Sequence, residues 1–514
     1  MLFINNLIDK TKNFQFNRRI NSNTGHDYQV KTLKKLLKKA QYTEFGKFYK
    51  FDEILKSDQI CKTYREQVPS GDYLKILPWW ERTRNGEPNI TWPGKIEFFA
   101  VSSGTTDNSS KYIPISDQML KAIQRGSIKQ MMQIAKTDIP KDHIIKNWLM
   151  MGGSTDLDFN GVYHSGDLSG ITTVKVPFML RRIYKPDPVI KRERYWPDKI
   201  SKITREAVKW DVGGIAGVPA WIQLLFENML KHYKISNIHE IWPNLEVYVH
   251  GGVSIKPYKK SIGKLLGRPI KYFETYLASE GFIAFQTHEN SSGMRLLFKN
   301  GIYFEFVPFN SENFDENGNL FNNHVCLTLK DVTENTDYAL LLSTCAGTWR
   351  YLIGDVIRFT SLNNCEIEIV GRTKHFISLC GEHLSVENMN DALELTSNEL
   401  QVNLIEYTVT GIPHSEGFFA HKWYIGYDGN SLNHDLVKTS LDKNLKILND
   451  DYRVERTAAL KDIYVELVPN NLFADWIKKY GKLGAQSKFP RVLNEQKLES
   501  WEKFIKSQSS TSEI

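Results

Sequence analysis

Leucine, tyrosine and phenylalanine recur at helical spacing among lysines from about Tyr28 to Tyr64, which predicts an amphipathic helical region ahead of the first Pro- and Gly-marked turns. From Ile96 the pattern changes. Glu97 to Val101 is a short, mostly apolar run ending in the small polar loop SSGTTDNSSK, and Ser116 opens a long helical stretch through Ile134, so the predicted order is strand, loop, helix. The alternation recurs between Trp210 and Tyr258, as a Gly-rich turn, a helix from Pro219 to about Tyr233, and a strand from Leu245 to His250 running into Gly251 and Gly252. Strands alternating with helices predict a mostly parallel sheet. From Gly301 to Thr360 the runs IYFEFVPF, VCLTLKDV, DYALLLST and YLIGDVIRFT follow strand upon strand, which predicts an antiparallel annex.

After Gly371 and Arg372 the pattern restarts with FISL, a helix from Ser385 to Leu400, the strands YTVTGI and FFAHKWYIGY, a helix near 433–448, the strand DIYVELV and closing helices. This predicts a compact α+β module of ordinary domain size. The expected class is α/β, with a large N-terminal domain over 1–372, a smaller C-terminal α+β domain over 373–514, and a polar tail, 506–514, expected to be disordered.

Composition narrows the classes. The 514 residues, 41% hydrophobic and 12% aromatic, suit more than one globular core. The net charge of +7 comes from 66 basic and 59 acidic side chains interspersed along the chain, which fits anionic small substrates better than nucleic acid. Five cysteines without a CxxC spacing argue against zinc or redox chemistry and are expected to be reduced packing residues. The N-terminal segment lacks the continuous apolar core of a signal peptide, and no stretch approaches the ~20 apolar residues needed to span a bilayer, so a cytoplasmic location without membrane partners is expected.

Three clusters carry candidate chemistry. Ser102, Ser103, Gly104, Thr105 and Thr106, continuing to Lys111, gather hydroxyls, a glycine and a lysine as phosphate oxygens require, although GxxxxGK[ST] is absent and such a loop, read alone, is more often a solvated turn. Tyr276-Leu277-Ala278-Ser279-Glu280-Gly281 offers an aromatic for a purine face and a carboxylate for magnesium; the alternative is a strand end with a surface glutamate. Trp349 to Asp355 ends in a Gly-Asp pair able to accept from ribose hydroxyls, or simply to turn, and Arg372 follows seventeen positions later.

In order and spacing these clusters resemble the auxin-responsive acyl acid amido synthetases of plants and their bacterial relatives, a branch of the adenylate-forming superfamily that includes firefly luciferase. That family's SSGTSxGxxK loop corresponds to Ser102 through Lys111, its YxxSE motif to Tyr276 through Glu280, and its YRxxxGD-like motif to Trp349 through Asp355. The similarity extends to GGIAGVPAW at Gly213–Trp221, PNLEVYVHGG at Pro243–Gly252 and GAQSKFPR at Gly484–Arg491. Thr106, Asn108 and Trp349 depart from the pattern without removing a charged group.

The resemblance implies ATP and Mg2+ as cofactors. Ser102 to Thr106 and Lys111 would wrap the phosphates, Glu280 would bind the metal, and Gly251, Gly252, Val253, Tyr276 and Ser279 would meet the adenine. Asp355 would bind the ribose, assisted by Arg372 at the hinge of a mobile C-terminal domain. Lys488 is the candidate for the lysine contacting the α-phosphate and carboxylate; otherwise it is a solvated side chain. The expected reaction activates a carboxylic acid as its acyl-AMP and passes the acyl group to an amino acid, with an acyl-CoA ligase and a non-catalytic nucleotide-binding protein as alternatives. A monomer is favoured. Gly161 to Arg182 and the helices near 189–230 are expected to line the acyl pocket, while His164, His250 and His383 are weak candidates for the base that frees the amine, since a lone histidine is usually a packing residue.

Overall fold

Two of the long helices start where a side-chain cap precedes an apolar stripe. Asn21 accepts from the Thr24 N–H at the start of the Ser22–Ala40 helix, which buries Leu33, Leu36, Leu37 and Ala40 on one face. Ser116 does the same for Met119 in the Asp117–Ile134 helix, whose Gly126 faces Phe282 so closely that a Cβ would lie 2.6 Å from the ring. The computed structural model describes residues 20–102, 111–176, 181–480 and 489–509, apart from 257, 290, 292, 316, 317, 375, 405, 416, 428, 430 and 431. The expected phosphate-loop residues Ser103, Gly104, Thr105 and Thr106 and the candidate Lys488 lie outside the described residues.

The described chain forms two compact units, divided after Lys374. In the first, eleven strands among the described residues make one sheet. Its parallel half runs Tyr184–Lys185, Asn147–Met151, Val212–Gly217, Val247–Gly251 and Lys271–Ala278. It then continues antiparallel through Gly281–Phe285, Met294–Leu296, Glu366–Arg372, Tyr351–Ser361, Asp337–Thr344 and Ile302–Pro308. The expected α/β class therefore holds, but the antiparallel strands extend the parallel sheet and do not stand apart from it. The strand Lys271–Ala278 is the seam between the halves. Beside this sheet, Phe98–Ser102 pairs antiparallel with Lys111–Ile115 and parallel with His164–Gly166.

Two local expectations fail. The loop after Ser102 does not lead into a helix, because Lys111 opens a strand whose first residue pairs with Ser102. VCLTLKDV makes only an isolated bridge, Leu327 to Phe306, since the Asp331 carboxylate accepts both the N–H and the hydroxyl of Thr328 and turns the chain.

In the second unit, Tyr407–Ser415 pairs antiparallel with Phe418–Gly426, which pairs parallel with Leu460–Val468. Helices Val386–Leu400 and His434–Leu448 belong to this unit, and Trp501, Phe473, Trp476 and Phe489 build an aromatic core around the closing helices. The last helix, Glu495–Ser509, carries order into the tail expected to be disordered from Lys506, because Trp501 and Phe504 give it a buried face. No helix among the described residues is long and apolar enough to cross a membrane.

Candidate active site

The site is built at the seam strand. Ala278 pairs with Gly281, so Ser279 and Glu280 form a two-residue turn. Gly281 has φ +140, and a Cβ there would lie 2.9 Å from the Met119 sulfur, which accounts for glycine at the turn's exit. Glu280 is 7% exposed. Two residues before the end of the same strand, the Tyr276 hydroxyl donates to Oδ2 of Asp355. The antiparallel register puts Asp355 opposite Arg372, whose Nε lies 2.5 Å from Oδ1.

Lys111 joins this group from the neighbouring sheet. Its Nζ lies 5.9 Å from the centre of the Tyr73 ring, and its proton affinity responds to Glu280, Arg372, Asp72 and Lys374. Asp72 and Lys374 themselves pair at 3.5 Å. Lys111, Glu280, Asp355 and Arg372, distant in sequence, thus form one electrostatic cluster within the first unit.

Burial moves the two central groups toward neutrality. Desolvation pulls the Lys111 ammonium down to about 8, with Glu280 opposing the shift and Arg372 adding to it. Desolvation pushes the Glu280 carboxyl up to about 7; its own backbone N–H and Lys111 oppose this, and Asp355 reinforces it. Burial also raises the Tyr276 phenol well above its usual value, with the charge of Asp355 next in importance, so its hydroxyl remains a donor.

The glycines lie beside the seam. Gly251 ends a parallel strand opposite Thr275, and a Cβ on it would lie 2.4 Å from the Thr275 carbonyl oxygen. Gly252 has φ +83, and Val253 follows it out of the strand end. The carboxyl ends of parallel strands are where open α/β sheets take their ligands. The expected adenine residues Gly251, Gly252, Val253, Tyr276 and Ser279 are therefore gathered along adjoining strands. Tyr276 is 5% exposed and belongs to the main core.

The donor set fits a magnesium-bearing polyphosphate. Glu280 supplies hard oxygen donors, the charges of Lys111 and Arg372 act on it, and its proton affinity is raised, a shift that a bound cation would reverse. Magnesium retains waters and phosphate oxygens, so a site of this kind does not require a cage of protein ligands.

The three candidate histidines differ in their surroundings. His164 stacks on Phe98 at 5.5 Å, and His383 pairs with Asp451 at 3.1 Å in the second unit. Burial, aided by Lys259, lowers His250 to about 4, so it is neutral near pH 7. Sequence reasoning missed Asp72, Tyr73 and Lys374 beside Lys111; SGDYL carries only the signal of a helix start, and nothing in it points to a partner nearly forty residues away.

Three family models match the chain: the GH3 family N-terminal domain over residues 21–191, its central domain over 295–372 and its C-terminal domain over 387–497. An indole-3-acetic acid-amido synthetase, GH3.4 of Arabidopsis thaliana, is 26% identical over 57% of this chain, and the match spans only about half of that relative's length, 52%. The jasmonoyl-L-amino acid synthetase JAR6 of Nicotiana attenuata is 22% identical, over 74% of this chain and 75% of its own. Among solved structures, the AtGH3.15 acyl acid amido synthetase in complex with 2,4-DB has a TM-score of 0.57 at 17% identity, with 93% of each chain covered. A 2-hydroxyisobutyryl-CoA ligase in complex with 2-HIB-AMP and CoA also gives 0.57, at 14% identity, covering 92% of this chain and 91% of its own. The two structures show a fold shared with this chain, and the three domain models, which together take in more than half of the sequence and include the strands bearing Lys111, Asp355 and Arg372, establish that this chain belongs to the GH3 family.

Proposed function

We propose that the protein is an ATP-dependent acyl acid amido synthetase, which activates a carboxylic acid as its acyl-AMP with release of pyrophosphate and transfers the acyl group to the amine of an amino acid. The observation that carries this reading is the convergence of Lys111, Glu280, Asp355 and Arg372 at the seam strand. The amido synthetases among the relatives support amide formation as the second step.

The roles follow from charge. Lys111 faces the phosphates and stabilises negative charge as pyrophosphate departs, an effect strengthened by burial. Glu280 would hold magnesium, which when bound supplies Lewis-acid stabilisation of phosphate oxygens. Asp355 accepts from the ribose hydroxyls, and Arg372 donates to its Oδ1. On this reading Ser102 to Thr106 would bind the phosphates, Gly251 to Val253 would border the adenine, and Lys488 is the candidate lysine for the reacting carboxylate. The acyl pocket is assigned to Gly161–Arg182 and the helices that follow, and the protein is read as a cytoplasmic monomer acting on small molecules.

Pyrophosphate exchange tests the first step: with ATP, magnesium and a panel of carboxylic acids, at least one acid should drive labelled pyrophosphate into ATP. No exchange with any acid would favour a binding protein. The acceptor is tested by offering amino acids and coenzyme A separately and weighing the products. Amide is expected, and thioester alone would replace this reading with a CoA ligase.

A further inference from the structure

Asp355 is 9% exposed, and each of its oxygens has a protein donor: the Tyr276 hydroxyl on Oδ2 and the Arg372 Nε on Oδ1. The arginine is an in-sheet neighbour, since the register puts it directly opposite. The tyrosine is not. In sheet order three strands, Glu366–Arg372, Met294–Leu296 and Gly281–Phe285, stand between Asp355 and the strand bearing Tyr276. The hydroxyl therefore spans the curl of the sheet and ties its parallel half to the carboxylate.

A carboxylate has about four lone-pair sites. With one site on each oxygen held by a fixed donor, its plane and rotation are set, and the remaining sites match the two hydroxyls of a vicinal diol. The ring that carries this donor is packed in the main core and is 5% exposed. Its hydroxyl has a defined partner in Oδ2 of Asp355.

We infer that Tyr276 acts through its hydroxyl as a positioning residue that orients Asp355 for the ribose hydroxyls of the nucleotide. The inference rests on the proposed reading of Asp355 as the ribose carboxylate. Tyr276→Phe removes the donor and keeps the ring, whereas Tyr276→Leu removes both.

The test is equilibrium binding, by calorimetry, of Mg-ATP and Mg-2′,3′-dideoxy-ATP to the full chain and the two variants, with melting curves recorded alongside. Neither nucleotide needs an acid substrate to bind. The wild type should prefer ATP about tenfold, the scale of hydrogen bonds to a charged group. Tyr276→Phe should weaken ATP by about fivefold to tenfold and leave dideoxy-ATP within about twofold, because that ligand has no hydroxyls for Asp355 to meet. Tyr276→Leu should lose at least as much for ATP.

An unchanged ATP affinity in Tyr276→Phe with a loss in Tyr276→Leu would overturn the inference in favour of the ring. Equal weakening of both nucleotides in Tyr276→Phe would overturn it in favour of a general structural role. Equal wild-type affinity for ATP and dideoxy-ATP would overturn the ribose reading of Asp355 itself, and the inference with it.

Discussion

Arg350 and Glu305 are paired inside the first unit: the guanidinium Nε lies 3.0 Å from the carboxylate Oε2, with the two side chains 4% and 1% exposed. The same guanidinium donates to the carbonyls of Arg65 and Val68, so it fastens the end of the Ile60–Gln67 helix to the sheet. Arg350 stands in the segment that leads to Asp355, yet its charge is spent on structure. Replacing either partner alone leaves the other charged and buried, so Glu305→Ala or Arg350→Met should cost about 3–5 kcal/mol in urea unfolding. The double variant should cost less than the sum of the two.

Glu280 gives a pH signature that does not depend on knowing the substrate. Its carboxyl ordinarily ionises near 4.5 and is held at about 7 in the folded chain, chiefly by burial. A folded-state value above the unfolded one means that the native state binds more protons between the two. The wild type should therefore lose stability relative to Glu280→Gln as pH rises from about 4.5 through about 7, by roughly 1–3 kcal/mol. Paired urea titrations at pH 5 and 7.5 measure the difference, and a gap that does not change with pH would mean that Glu280 is solvated.

The same residues show where the sequence could be read and where it could not. The helices after Ser116 and at Pro219 were legible because the Ser116 cap, the proline at the first helical position and the apolar stripes are local. Lys111 could be named but not placed: KYIPI is five residues long, too short to distinguish from loop by alternation, and its pairing with Ser102 is settled by a partner across the hairpin. VCLTLKDV had the apolar content of a strand, but the side-chain bonds of Asp331 turned it away from the sheet. Tyr276, Glu280, Asp355 and Arg372 were legible as motif letters. The bond from Tyr276 to Asp355 was not, because it depends on the curl of the sheet across three strands. Arg350, at φ +42, was illegible for a related reason: its ion-pair partner lies 45 positions away in a different run.

Gly251 tests the carboxyl edge of the parallel strands. A Cβ there would lie 2.4 Å from the Thr275 carbonyl oxygen, backbone of the adjacent strand that cannot rotate aside, whereas a Cβ on Gly252 would meet only Val218, at 3.5 Å. Gly251→Ala must push the strands apart just before Tyr276, at a cost of about 1–3 kcal/mol. Gly252 is constrained by its φ of +83, so Gly252→Asn should be better tolerated than Gly252→Val. Mg-ATP affinity and urea midpoints of the three variants check this ordering.

Lys199 makes the converse pH prediction. The residue is 4% exposed on the Trp196–Glu206 helix, and its ammonium donates to the Gly152 carbonyl at 2.9 Å, beside the end of the Asn147–Met151 strand. The nearby carboxylates are engaged elsewhere, Asp167 with the N–H and hydroxyl of Ser169 and Glu193 with Lys202. Burial accordingly lowers the ammonium to about 8, with Asp167 and Glu193 only partly opposing it. The native chain then binds fewer protons than the unfolded chain between about 8 and the ordinary 10.5, so stability should rise with pH across that window. Lys199→Met, which cannot titrate, isolates the effect. The wild type should gain roughly 2 kcal/mol on the variant between pH 7.5 and pH 10 in paired urea titrations, and a constant difference would show that the ammonium keeps its hydration.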